Sequence, residues 1–157
     1  MIPGTDRLLM TTILLLFSGI LVADDNSGPL SQYQPQLSES FRQQLREADL
    51  AAGERTFMRK CSACHDHKKQ GGHGKGPHLW NLFNRKAGSI DGFKFSAAMR
   101  DSGHTWTINT LNYYLTNTER AVPGRLMEFR GIRRDQERAN LIAFLLQFND
   151  NPPALSD

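Results

Sequence analysis

The chain has 157 residues, 39% of them hydrophobic, and a formal net charge of +3. Once an apolar N-terminus and a polar stretch behind it are set aside, there is room for one domain of roughly 100 residues, and a second core is excluded. Residues 53–148 hold sixteen Lys or Arg against eight Asp or Glu while the flanks are acidic, so the compact part suits an anionic partner, and charge alone does not choose among nucleic acid, lipid and acidic protein.

Residues 8–22 form an apolar run behind Arg7, broken by Thr11, Thr12, Ser18 and Gly19. It reads as an export signal or a membrane anchor. Fifteen helical residues span about 22 Å, short of a hydrocarbon core of roughly 30 Å, which favours a cleaved signal. The best cleavage point, after Ala23, has the bulky Leu21 where a small residue is preferred, which favours an uncleaved anchor. Residues 24–39 read DDNSGPLSQYQPQLSE, a composition too poor in apolar area to fold. The expected division is therefore 1–23 signal peptide or membrane anchor, 24–48 polar flexible linker, 49–150 folded domain and 151–157 C-terminal tail.

Asp49 is placed to cap a helix over residues 50–62, with Phe57 and Cys61 at i, i+4 spacing and Gly53 leaving a bare patch for close packing. Directly after it, Cys61, Ser62, Ala63, Cys64 and His65 spell C-x-x-C-H, the attachment signature of c-type haem. Two thiols three residues apart at a helix end can each add to one haem vinyl group, and the next residue then offers its imidazole to the iron from the same side. Cys61 and Cys64 are the expected thioether anchors and His65 the proximal ligand. Half a zinc site, completed by two of His67, His73, His78 and His104, is the first competing reading; an exported redox dithiol is the second. The chain has only two cysteines, so the second C-x-x-C of a zinc ribbon is missing, and no βαβ pattern accompanies the pair.

Glycines 71, 72, 74 and 76 with Pro77 mark a loop. Ser96 opens a short helical turn closing near Gly103, and Thr107 caps a helix through Thr116 that carries Leu111, Tyr114 and Leu115. Pro123 and Gly124 begin a second loop, in which Met127 is the expected sixth ligand of the iron, reaching the face opposite His65. Met58 and Met99 are read as core filler. Asp135 and Glu137 sit in the first turn of the last helix, RDQERANLIAFLLQF, where Ala139, Leu141, Ile142, Leu145 and Leu146 repeat with helical period. No segment alternates as a strand would, so the fold class is all-α.

From residue 53 to about 148 the sequence resembles the mitochondrial-type and short bacterial class I cytochromes c, through GERTFMRKCSACH, GKGPHLWNLFNRKAG, GFKFSAAM, GHTW, VPGRLMEF and ERANLIAFL. The resemblance implies three to five helices around one covalently bound haem, the N- and C-terminal helices crossing through Gly53 and Phe57 against Leu141 and Phe144. It implies that the Pro77 carbonyl accepts a hydrogen bond from His65, that Tyr114 reaches the Met127 sulfur, that Arg85 and Trp106 serve a haem propionate, and that Phe129 covers the haem edge. Three positions depart from the mitochondrial pattern: Phe95 stands where a Tyr is common, Met99 where an Asn sits, and Arg125 where a small hydroxyl residue donates. That puts the propionate network in doubt, with Arg125 as the candidate replacement donor.

The resulting expectation is a single-electron carrier, not an enzyme, in the periplasm or an equivalent oxidising space. Its partners would be redox proteins with acidic docking surfaces, a quinol-oxidising complex and a terminal oxidase or reductase, meeting a basic face formed by Lys60, Arg120, Arg125, Arg133 and Arg134. No nucleic acid is expected, and membrane contact only through residues 8–23 if they are not cleaved. The alternatives are an anchored cytochrome subunit of an oxidase or dehydrogenase and a haem peroxidase; the latter needs an open distal site and an acid and base pair that the sequence does not offer.

Overall fold

The computed structural model describes Met1 and residues 28–154. The expected signal or anchor, the first residues of the expected linker and the last three of the tail lie outside the described residues. Among the described residues there are six helices and no strand: α1 (Glu39–Arg46), α2 (Leu50–Lys60), α3 (Ala97–Asp101), α4 (Ile108–Thr116), α5 (Thr118–Ala121) and α6 (Asp135–Leu146). None is long and apolar enough to cross a membrane.

Local chemistry sets most of the boundaries. The Asp49 carboxylate accepts from the Ala52 amide to start α2, the Ser96 hydroxyl does the same for α3, and Thr107 with Thr110 forms a reciprocal capping box on α4. α6 has no side-chain cap, but Asp135 and Glu137 place negative charge on its first turn. Helix α6 is covered on nearly every side, because α1, α2 and α4 all pack on it. Its polar residues are confined to residues 135–140, and from Leu141 to Leu146 it is apolar throughout, as an enclosed helix requires.

The α2–α6 crossing depends on Gly53. A Cβ there would fall on the carbonyl oxygen of Asn140 and 2.7 Å from the Cβ of Phe144. The Phe57 and Phe144 rings complete the contact with centroids 5.7 Å apart. The crossing thus has the expected glycine and aromatic character, with the backbone of Asn140, in place of Leu141, meeting Gly53.

Residues 28–48 are not the flexible linker expected from their composition. Ser38 caps α1 through the Phe41 amide, and Phe41 and Leu45, one turn apart, are buried, as is Leu30. The apolar residues are few but correctly spaced, and α6 supplies the partner surface that the segment lacks by itself.

Candidate functional site

Beyond α2 the chain makes a tight turn: the amides of Cys64 and His65 both donate to the Cys61 carbonyl, at 3.0 and 2.9 Å. Two half-buried free thiols and one imidazole are thereby gathered within five residues. Burial pushes the Cys61 thiol up to about 11, against a smaller lowering by Lys60. A neutral thiol in apolar surroundings is the opposite of the activated thiolate that a redox dithiol requires. Nor do the described residues hold any group of three His, Cys, Asp or Glu able to take a metal ion, which leaves the zinc reading without its remaining ligands.

His65 is fixed by its second nitrogen. Nδ1 lies 2.7 Å from the Pro77 carbonyl oxygen and must donate to it, so Nε2 is the unprotonated nitrogen, free to ligate. Burial lowers the imidazole pKa, opposed by that hydrogen bond, which keeps the ring neutral as a metal ligand must be. The glycine loop makes this geometry accessible. The Gly76 amide donates to the Cys64 carbonyl, and a Cβ on Gly76 would stand 2.7 Å from both ring nitrogens of His65. Only a bare backbone can pass so close, a demand the sequence expresses merely as a glycine-rich loop.

Further along the chain, α4 and α5 lead to Pro123 and to Gly124, whose φ of +80° favours glycine. Tyr114 Oη stands 3.9 Å from Met127 Sδ. Burial pushes the Tyr114 phenol up to about 12, so it remains a donor to sulfur throughout the physiological range. Phe129 is half-buried, with its amide donating to the Met127 carbonyl and its carbonyl accepting from the Thr118 hydroxyl.

Arg85 and Trp106 are brought together by a backbone pairing: the Trp106 amide donates to the Arg85 carbonyl at 2.9 Å and the Asn84 amide to the Trp106 carbonyl at 2.8 Å. The Arg85 guanidinium is half-buried, held by the carbonyls of Trp80 and His78, and burial lowers its pKa. Arg125 behaves differently from its expected role. Its side chain is 10% exposed and is spent on Glu119 and the Thr118 hydroxyl of α5 and on the Phe129 carbonyl of its own loop. It therefore neither lends charge to an exposed basic face nor stands free to replace the missing propionate donors. Lys60 and Arg134 converge with Arg59 on Glu137, whereas Arg120 lies over the Tyr113 ring.

Three buried polar side chains have surroundings that the sequence did not announce, although His104 was weighed there as a zinc ligand. Thr118, fully buried, joins Arg125 to Phe129. Arg138 is buried with four donor contacts, to Asn112, Ile132, Arg133 and Asp135. His104 is buried edge-on to Trp106, ring centroids 4.4 Å apart, with neither nitrogen hydrogen-bonded.

Burial holds His104 down to about 4. The folded protein therefore keeps it neutral where the unfolded chain, titrating at its ordinary value, takes up a proton. Its contribution is intact above pH 6.5 and is lost as the pH falls from there toward 4. The melting temperature is expected to drop over that window, with His67 and His78, also held low by burial, adding in the same direction. His104→Leu should make the drop shallower, as thermal melts across the window will record.

The residues present fit a haem: two free thiols, an imidazole with Nε2 left free by Pro77, and a thioether held by a tyrosine donor. The double variant Cys61→Ala, Cys64→Ala is expected to yield no haem-stained band on a denaturing gel, and each single variant at most one thioether.

A family model described as Cytochrome c matches residues 50–149; the segment ahead of residue 50 lies outside that match. A "Cytochrome c" of Chlamydomonas reinhardtii is 46% identical over 99 residues, covering 63% of this chain and 88% of the relative. A "Cytochrome c" of Gossypium barbadense is 40% identical over 105 residues, 67% of this chain and 95% of the relative. A "Cytochrome c homolog" of Bradyrhizobium diazoefficiens is 38% identical over 119 residues, 75% of this chain and 64% of the relative.

Proposed function

This chain belongs to the cytochrome c family, a haem-containing electron carrier with Cys61 and Cys64 at the attachment position, and on that footing we propose that it shuttles single electrons in a respiratory-type chain, with His65 and Met127 as the two axial ligands. The bound haem supplies a one-electron iron couple. Everything else falls to the protein. Cys61 and Cys64 would hold the group through thioethers, and His65, its tautomer set by Pro77, would offer it Nε2. The Tyr114 hydroxyl at 3.9 Å from the Met127 sulfur is the observation that carries the second assignment: a hydrogen bond to the thioether orients it and keeps it in place. A thioether ligand favours ferrous iron and raises the reduction potential, which suits a carrier between a quinol-oxidising complex and a terminal oxidase or reductase. A closed sixth position also argues against peroxidase chemistry.

The apolar run at residues 8–22 supports an exported location, in the periplasm or an equivalent oxidising space. For docking, the exposed bases on the methionine side, Arg120 and Arg133 with Arg130 between them in sequence, suit an acidic partner surface, while Arg125 is withdrawn. With a surplus of eight positive charges in residues 53–148, encounter should be steered electrostatically and screened within about 10 Å at 0.1 M salt. The bimolecular rate of reduction by a quinol-oxidising complex purified from the same membranes is expected to fall about tenfold from low to physiological ionic strength. A rate that is flat or rising with salt would defeat the basic docking face.

A further inference from the structure

Residues 28–46 lie ahead of the matched domain, yet they touch the structure at both ends of the loop that carries Met127. At the entry to the loop, the Leu30 amide donates to the Ala121 carbonyl at 2.9 Å, one residue before Val122. Leu30 itself is buried. Beside it, Tyr113 Oη donates to the Gly28 carbonyl at 2.7 Å, and the Tyr33 ring packs on the Tyr113 ring with centroids 5.0 Å apart. The Asn109 side-chain amide adds a bond to the Pro35 carbonyl at 3.1 Å.

The exit is gripped as well. Phe41 of α1 lies under the Arg138 guanidinium, 5.7 Å from it, and Arg138 Nη1 donates to the carbonyls of Ile132 and Arg133 at 2.7 and 2.9 Å. α1 rests on α6, so the aromatic face under Arg138 is fixed in turn.

From this juxtaposition we propose that residues 28–46 are a clamp on the methionine loop, with Leu30, Tyr33 and Phe41 as positioning residues for the electron-transfer site. Loops open locally, at a free energy set by how many buried contacts must break. A loop running from Val122 to Arg133 swings its methionine away most readily when one of its ends yields. Hydrogen bonds and apolar burial at Ala121 and an aromatic floor under Arg138 remove that freedom at both. The consequence is a Met127 that stays in place under conditions that would release it from an unclamped loop. This rests on the proposed axial role of Met127.

The experiment uses the full-length ferric protein loaded with haem, as wild type, as the double variant Leu30→Ser, Tyr33→Ala, and as the milder Tyr113→Phe, which removes only the hydroxyl bonded to Gly28. Two quantities are followed: the pH at which the methionine-to-iron charge-transfer band is lost, and amide hydrogen exchange across the loop and across α2. The double variant should lose the band about one pH unit earlier. It should also exchange about tenfold faster at Ala121, Val122 and Ile132 with α2 unchanged, and Tyr113→Phe should show a smaller shift of the same kind. If loop exchange and band midpoint both stay at wild-type values, the clamp is refuted. If α2 and the loop accelerate alike while the midpoint stays put, the segment serves only general stability, and the clamp is equally refuted. A wild-type protein with no such band would overturn the Met127 assignment itself, and loop exchange, which needs no ligand assignment, would then decide on the clamp.

Discussion

If His65 and Met127 are the two ligands, as proposed, Met127→Ala leaves the iron with a single protein ligand, and three results are expected together. The ferric spectrum becomes high-spin or that of a new exchangeable ligand. The reduction potential falls by a substantial part of the roughly 0.8 V that axial ligation spans. Peroxide-driven oxidation of a small dye appears where the wild type shows almost none, because the sixth position is now open. Met99→Ala provides the contrast. Met99 packs half-buried against the core in the middle of α3, its amide bonded to the Ser96 hydroxyl, and the loss of its side chain should lower stability while the low-spin spectrum persists. Tyr114→Phe falls between the two, keeping the thioether and losing its donor. An unaltered ferric spectrum in the Met127 variant would defeat the axial assignment.

Gly53→Val is expected to give the largest loss of stability among single substitutions. The added Cβ would clash with the Asn140 carbonyl and press on Phe144, and neither can retreat: α6 is enclosed by α1, α2 and α4. Overpacking of this kind costs about 3 kcal/mol, and forcing α2 and α6 apart also loosens the ring contact between Phe57 and Phe144. In a domain of this size that is a fall in melting temperature of more than about 10 °C. Leu50→Ala, on an exposed position of the same helix, should change little. A Gly53→Val protein that melts with the wild type would show that the two helices do not cross at this residue.

The parts of the molecule that were legible in its sequence are those whose chemistry is local. C-x-x-C-H is a spacing, α4 announces itself through Thr107 and a helical period, and α6 through Asp135, Glu137 and the aliphatics behind them. Where a feature depends on what lies across the fold, the sequence was mute or misleading. Residues 28–48 look like a tether because they contain few apolar residues, and those few gain their partners only from α4, α5 and α6. Arg125 reads as a free surface base until Thr118 and Glu119 fold around it. Gly76 reads as loop punctuation, although its purpose is to let the backbone pass over the His65 ring. The short α5 has too few residues for any period to show. His104, which would ordinarily be sought at the surface, is buried against Trp106 without a hydrogen-bond partner, and nothing in its neighbours in sequence signals that environment.

Acid–acetone extraction of the wild-type protein tests the central claim most directly. A haem held by thioethers to Cys61 and Cys64 stays with the polypeptide when acid protonates His65 and the fold is lost, so the colour is expected in the precipitated protein. Colour in the acetone phase would mean that the haem was held by His65 and its surroundings alone, and would contradict covalent attachment at the C-x-x-C-H turn.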